Sequence, residues 1–280
     1  DQATLDRDHP SIVSVAVSTF GDTGPLAGRP GIDAVAQALA GFMAVTGPRG
    51  GDPTKAGPPV ADATASLLVA VGALAALLHR TSSGRGQHVE VALIDGLVHI
   101  QAPYVGQYFL LGTQQQRSGN AVDWYAPYDS YACSDGKRVQ LACYNDKFFE
   151  RLAVAIGRPD LLGDERFARN DARLAHRREL DEIVAAYCRS RPRDELLDHL
   201  WCHDVIVGPV NEYAEVFDEP QVRHNRMIVS FDSDAGEVRT SGVPIRFSAT
   251  EASVRRPPPA CGEHTREILA ELGLTDGTAP

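Results

Sequence analysis

The chain has 280 residues, 43% of them hydrophobic and 23% charged, which is enough apolar material for a sizeable core and for more than one domain. A formal net charge of -10 argues against a nucleic-acid backbone as partner, because phosphate binding needs a surplus of Lys and Arg. Cys133, Cys143, Cys188, Cys202 and Cys261 are odd in number and have no CxxC spacing, which argues against a disulfide framework or a thiolate zinc site.

The opening residues Asp1 to Asp8 lack a basic segment followed by an apolar run, so no export signal is read and a cytoplasmic location is expected. Ser11 to Ser18 has the apolar density of a buried strand, and Gly21 to Gly31 is a Gly/Pro loop leading to a helix at Asp33 to Ala40. A second loop runs from Thr46 to Pro59. Its Gly47-Pro48-Arg49-Gly50-Gly51-Asp52-Pro53 lacks both GxGxxG spacing and a P-loop ending, and reads as a mobile loop rather than a phosphate cradle.

The uncharged run 63–78 predicts a core helix; it falls short of the ~20 residues that span hydrocarbon, and His79-Arg80 closes it. Ser82 to Gly86 turns the chain into a strand at Gln87 to Ala92, and Leu93 to Leu111 reads as one helix. Strand, helix, helix, strand is an α/β pattern, bounded by the polar stretch Gly112 to Asn120.

From Ala121 the pattern becomes α+β. Tyr128 to Cys133 and Lys137 to Cys143 flank the hairpin turn Ser134-Asp135-Gly136. Helices are predicted at Lys147 to Ile156, Ala172 to Arg189 and Arg193 to His203, with Val205 to Val210 extended. Short extended runs at Met227 to Phe247 surround Ser233 to Gly236, and a last helix spans Thr265 to Leu272. The boundaries drawn are 1–120, 121–225 and 226–280.

Asp62 carries the chemistry. It stands at the entrance of the apolar helix, where unpaired backbone N–H groups and the helix dipole favour an anion. Held there with little water around it, a carboxylate can attack an electrophile; equally, it can simply cap the helix. Asp33 has the same two readings, cap of the helix it begins or carboxylate of a reactive site, and Gln37 shares its helix face.

Other candidates have bland explanations. His199 and His203 lie four apart, but Leu200 replaces the glutamate of H-E-x-x-H, so a structural pair is read and no metal site. Ser82, Ser83 and Ser118 lack a G-x-S-x-G elbow. Arg173, His176, Arg177 and Arg178 read as a solvated helix face.

The ordered strings Gly24-Pro25, Arg29-Pro30-Gly31-Ile32-Asp33-Ala34-Val35-Ala36-Gln37-Ala38, Thr46-Gly47, Pro59-Val60-Ala61-Asp62 and Gly84-Arg85-Gly86-Gln87 resemble the class III CoA-transferases. These are the formyl-CoA transferase, carnitine CoA-transferase and bile-acid-inducible F type proteins. Tyr125-Ala126-Pro127-Tyr128, Gly208-Pro209-Val210 and Gly262-Glu263-His264-Thr265 continue the resemblance nearly to the end of the chain.

The resemblance implies that fold: a Rossmann-like large domain, here lacking its N-terminal part, plus a smaller α+β domain. Residues 1–120 would be the C-terminal part of the large CoA-binding domain, 121–225 the small domain, and 226–280 a return to the large one. It implies that Asp62 attacks an acyl-CoA thioester, with oxyanion donors nearby, and passes CoA to a small carboxylic acid. Arg29, Gly31 and Ile32 would border the CoA, Asp33 would lie near the reacting thioester and Gln37 would support it; CoA is a substrate rather than a permanent cofactor. An interlocked homodimer is expected, with neither membrane nor nucleic acid as partner.

An α-methylacyl-CoA racemase is the alternative within the fold, but it needs a histidine where Ile32 stands, and isoleucine exchanges no proton. A non-catalytic CoA-binding subunit or fragment is the alternative outside catalysis. The segment Arg117 to Tyr125, with Trp124, departs from the glycine-rich flap of formyl-CoA transferase.

Overall fold

The polar segment Gln2–Asp8 winds into a short helix, α1, ahead of strand β1 (Ser14–Ser18). The computed structural model describes residues 2–233 and 236–274, and the chain divides into two units, Asp1–Pro209 and Val210–Pro280. In the first unit β1 pairs in parallel with β2 (His88–Ala92), Ser14 opposite His88 and Ser18 opposite Ala92. Parallel strands need a long crossover, and this one holds α2 (Asp33–Leu39), α3 (Phe42–Val45) and α4 (Val60–Ser83). The expected strand, helix, helix, strand order is therefore a βαβ unit.

β1 is not the buried strand its apolar run predicts. Val15 and Val17 are exposed, because a sheet of two strands lacks the flanking layers that cover such a run in a larger sheet.

α4 also differs from the expected core helix. Only Ala61, Ala65 and Ala76 are buried along it. These small residues, with Gly72, form the stripe that meets its neighbours: a Cβ on Gly72 would stand 2.8 Å from Val89 Cγ1. The opposite face presents Leu67, Val71, Leu74 and Leu78, 64–72% exposed, at helical spacing. Among the described residues this is the one helix long and apolar enough to cross a membrane by length and composition.

The segment read as one helix, Leu93 to Leu111, is two, α5 (Leu93–Ile100) and α6 (Ala102–Leu111). Pro103 has no N–H and its ring collides with the preceding turn, so the helix breaks at Gln101. The Gln101 amide spans the break, donating to Ala40 O at 3.0 Å and Leu97 O at 2.9 Å. A first core of Ala36, Ala61, Ala65, Val91, Leu93 and Leu97 joins α2, α4, β2 and α5.

The loop 46–59 is tied down rather than loose. Thr54 N donates to Thr46 O, Gly119 N to Gly47 O, and the Arg117 guanidinium to Ala44 O and Gly51 O at 2.9–3.0 Å.

The predicted hairpin forms as β3 (Tyr128–Ala132) and β4 (Arg138–Ala142), and β5 (Val207–Pro209) adds to β4 antiparallel. Helix α7 (Asp146–Ala155) starts where the Asn145 side chain accepts from Phe148 N. A 3-10 turn at Pro159–Leu162 follows, then α8 (Asn170–Ala175), α9 (Arg177–Cys188) and α10 (Arg193–Cys202). The helix expected at 172–189 is thus interrupted at His176. A second core, including Leu141, Phe149, Phe167, Leu180 and Leu196, lies between the hairpin and these helices.

The run Arg173 to Arg178 is only in part the solvated face its charge predicts: Arg178 is exposed and His176 partly so, but the other two turn inward. Arg173 is fully buried, and the Arg177 guanidinium donates inward to Val122 O and Tyr125 O. Chains of carbonyls without strand partners need donors that reach far, and these arginines supply them. The imidazoles do match expectation as a structural pair: His199 Nε2 lies 2.8 Å from Ala155 O, and His203 Nδ1 lies 3.0 Å from His199 O.

Beneath α9, Tyr131 Oη donates to Asp181 Oδ1 at 2.6 Å. Burial pushes the Asp181 carboxyl above the ordinary aspartate range; the Tyr131 hydrogen bond and Arg177 oppose the shift, and Asp129 adds to it. A carboxyl whose native pKa is raised contributes stability below its unfolded value, near 3.9, and that contribution is lost as pH rises through the native value. Asp181→Asn keeps an acceptor for Tyr131 and removes the titration. The variant is expected to gain stability relative to the parent between pH 4 and pH 7, read by urea unfolding at each pH; a constant difference across that range would refute this assignment.

The second unit holds α11 (Tyr213–Asp218), α12 (Pro220–His224), the antiparallel pair β6 (Ile228–Ser233) and β7 (Gly236–Ser241), and α13 (Thr265–Glu271). The extended runs and last helix lie where expected; of the predicted turn, Asp234 and Ala235 fall outside the described residues.

Candidate active site

Four loop residues, Lys55 to Pro58, deliver the chain into α4, and Pro59 at its N-cap offers no side-chain acceptor. The first-turn N–H groups of α4 therefore need partners from elsewhere. Pro58 O accepts from Val60 N and Pro59 O from Ala63 N, and Asp33 supplies the other two: its Oδ1 accepts from Ala61 N at 2.7 Å and from Asp62 N at 3.4 Å. Asp33 does not cap its own helix, whose N-cap residue Ile32 makes no side-chain hydrogen bond. It caps the helix that carries Asp62.

Gln37 holds this cap in place. Its Nε2 donates to Asp33 Oδ2 at 2.6 Å and its Oε1 accepts from Ala56 N at 2.9 Å, and the residue is fully buried. One amide thus ties α2 to both the loop before α4 and the carboxylate that caps α4. The i,i+4 spacing of Asp33 and Gln37 on α2 is what lets the two side chains meet.

Asp62 sits inside the first turn of α4, so it is not the N-cap. Among the described residues no hydrogen bond or ion pair reaches its carboxylate, and it is exposed. Two sequence expectations fail here. The N–H groups at this helix start are taken, those of Ala61 and Asp62 by Asp33 and those of Val60 and Ala63 by the carbonyls of Pro58 and Pro59, so they are not idle oxyanion donors, and the carboxylate of the single chain faces water. The physical reason lies in the helix period: Ala61 and Ala65 point into the core, and Asp62, one residue and about 100° further round, points away from it.

The remaining site candidates lie on the segment entering α2. Arg29 and Ile32 are exposed, Ile32 at 67%. Gly31 is half-buried, and a Cβ there would meet the Thr19 side chain at 2.5–2.7 Å, so this backbone lies closer to the end of β1 than any other residue permits. The structure brings Asp33, Gln37 and Asp62 into one hydrogen-bonded unit; among the described residues no side-chain hydrogen bond joins Arg29 or Ile32 to it, although Ile32 directly precedes Asp33 at the N-cap of α2. The role of Asp33 toward a second helix had no sequence signal, since a cap acting across 28 residues leaves no local pattern.

No group of three His, Cys, Asp or Glu side chains among the described residues is placed to hold a metal. All five cysteines are free thiols, and burial pushes those of Cys143 and Cys188 up to about 12.

The chain resembles known proteins along nearly its whole length. The model of CoA-transferase family III matches residues 1–265. The succinyl-CoA–D-citramalate CoA-transferase of Chloroflexus aurantiacus is 34% identical over 270 residues, covering 96% of this chain and 67% of that protein. The succinate–glutarate CoA-transferase of Agrobacterium fabrum is 36% identical, covering 100% of this chain and 70% of that protein. Among solved structures, a CAIB/BAIF family protein from Brucella suis superposes with a TM-score of 0.84 at 35% identity, over 97% of this chain and 71% of that one.

Proposed function

The chain belongs to CoA-transferase family III and has its fold, and we propose that it moves coenzyme A from succinyl-CoA to a second carboxylic acid through covalent intermediates on Asp62. Transfer of CoA between an acyl-CoA and a carboxylic acid is its reaction class. Succinyl-CoA as donor is the finer reading, supported by relatives whose names pair succinate or its thioester with citramalate, glutarate or mesaconate.

The observation that carries the role of Asp62 is a division of labour between two carboxylates. Asp33 takes the capping hydrogen bonds, which leaves the Asp62 carboxylate uncommitted at a helix start whose dipole favours negative charge. In the proposed cycle an Asp62 oxygen attacks the thioester carbonyl carbon, the C–S bond breaks, and CoA leaves as thiolate with the bonding pair. The resulting mixed anhydride is attacked by the thiolate at the Asp62 carbonyl carbon, which releases succinate and leaves an aspartyl-CoA thioester. The acceptor carboxylate then attacks that thioester, and the returning thiolate takes the acceptor's acyl group and frees Asp62. Each step exchanges one activated acyl bond for another, so no external energy source is required.

Arg29, Gly31 and Ile32 border the CoA in this reading, and Ile32 leaves a two-base racemisation without one of its acids. Shielding of Asp62 from water comes from the bound acyl-CoA; a second copy of the chain, interlocked with the first, covers the exposed stripe Leu67, Val71, Leu74 and Leu78. Light scattering is expected to give twice the chain mass, and a monomer at micromolar concentration would refute the dimer. A cytoplasmic location suits a CoA thioester as substrate.

The test is to incubate the protein with succinyl-CoA, add hydroxylamine, and map the peptides by mass spectrometry. A hydroxamate on Asp62 is the expected result. A folded sample that binds succinyl-CoA without labelling Asp62 would instead support the non-catalytic binder.

A further inference from the structure

We propose that Asp33 is a positioning residue for the reaction, fixing the backbone of Asp62 through the hydrogen-bond relay Ala56–Gln37–Asp33–Ala61; the inference rests on Asp62 being the nucleophile. Three features of the relay carry it. Each side-chain atom in it is committed in one direction: Gln37 Oε1 accepts from Ala56 N, Gln37 Nε2 donates to Asp33 Oδ2, and Asp33 Oδ1 accepts from Ala61 N and Asp62 N. The polarity is therefore fixed, since a carboxylate has no proton to donate and the amide must turn its NH2 toward it. Gln37 is fully buried and Ala36 beside it belongs to the first core, so the anchor is rigid where the nucleophile is exposed.

Second, Asp33 bonds the N–H of the nucleophile's own residue as well as that of its neighbour. The place of the Asp62 Cα is thus set by α2 rather than by α4 alone. Third, the loop Lys55 to Pro59 gives α4 no side-chain cap: Pro58 O and Pro59 O accept from Val60 N and Ala63 N, and the N–H groups of Ala61 and Asp62 between them depend on this external acceptor. Attack on a thioester needs the carboxylate oxygen aligned at near-contact distance from the carbonyl carbon. A first turn that frays or shifts by about 1 Å costs on the order of 10²-fold in rate while leaving substrate affinity, which other contacts supply, nearly unchanged.

The relay's polarity supplies its own test. Asp33→Asn keeps an acceptor for Ala61 N but sets an NH2 against the NH2 of Gln37. Adding Gln37→Glu restores the match, because the new carboxylate accepts from the introduced amide and still accepts from Ala56 N, and the net charge returns to that of the parent. Single-turnover labelling of Asp62 by succinyl-CoA, read as its hydroxamate, is expected to slow on the order of 10²-fold in D33N and to recover most of that loss in D33N/Q37E. KM for succinyl-CoA is expected to stay within about threefold throughout, a split that general loss of structure would not give.

Both variants keep an acceptor for Ala61 N, so the D33N and D33N/Q37E pair decides the matter without removing the cap. Parental labelling in folded D33N, or no recovery in the double variant, would overturn the relay. Failure of the parent protein itself to label Asp62 would overturn the proposed function instead, so the two failures are told apart.

Discussion

Asp62→Ala is expected to abolish exchange of labelled succinate into succinyl-CoA, a loss on the order of 10³-fold or more, with the fold intact. Self-exchange with one acid avoids any choice of acceptor and reports the covalent steps alone. The stability side of the prediction follows from the site's division of labour. Had Asp62 been the N-cap, its removal would take away about 1 kcal/mol. Because Asp33 holds the cap, Asp62→Ala loses only the favourable position of a carboxylate in a first turn, roughly 0.3–1 kcal/mol, and recovers part of that from the higher helix propensity of alanine. The variant is therefore expected to melt within about 3 °C of the parent. Asp62→Asn, which keeps shape and loses charge, should be equally inactive and equally stable. Retention of even a tenth of parental exchange by either variant would remove Asp62 from the mechanism; a large fall in melting temperature would mean that its side chain holds the helix start.

What the sequence made legible was determined by local pattern. The βαβ unit, the hairpin at 128–142 and the helices of the second core follow from apolar periodicity and from turn residues such as Asp135-Gly136, all of which act over a few positions. The aspartate at the mouth of an apolar helix was legible for the same reason. Long-range relations were not. That Asp33 caps α4 depends on two helices meeting, and that Arg173 and Arg177 turn inward depends on carbonyls of the segment 122–126 lying beside α8 and α9. A charge run carries the same local signature whether its guanidinium groups face water or buried carbonyls.

Burial was the least legible property. The composition of α4, with its uncharged run 63–78 rich in Leu, Val and Ala, predicts a core helix, yet its contact stripe is built from Ala61, Ala65, Gly72 and Ala76 while Leu67, Val71, Leu74 and Leu78 face outward. Small residues permit close approach and so mark the inner face, the reverse of what hydropathy alone implies. A helix with two apolar faces has two surfaces to satisfy, and only one of them is satisfied within a single chain.

Arg173→Met is expected to lower stability by about 3 kcal/mol, the largest structural loss among these variants. The guanidinium donates from Nε to Ala126 O at 2.8 Å, from one terminal nitrogen to Phe167 O at 3.0 Å, and from the other to Asp146 Oδ1 at 2.6 Å. It also lies 4.4 Å from the centroid of the Phe149 ring. The ion pair is the minor part of this arrangement. Asp146 is 70% exposed, so its carboxylate regains water when the arginine is removed and keeps its favourable place in the first turn of α7. The carbonyls have no such recourse: each is left beside a fully buried side chain without a donor, at about 1–3 kcal/mol apiece. Methionine fills part of the volume and packs its sulfur near Phe149, which limits the cavity but supplies no donor. A loss of this size should lower Tm by roughly 6–12 °C for a unit of about 200 residues, read by thermal unfolding. Arg173→Lys should fall between the two, because one ammonium cannot reach three acceptors arranged for a planar fork. Asp146→Asn separates the causes: it is expected to alter Tm by less than about 3 °C, and a loss equal to that of Arg173→Met would make the ion pair, rather than the carbonyls, the reason this arginine lies in the core.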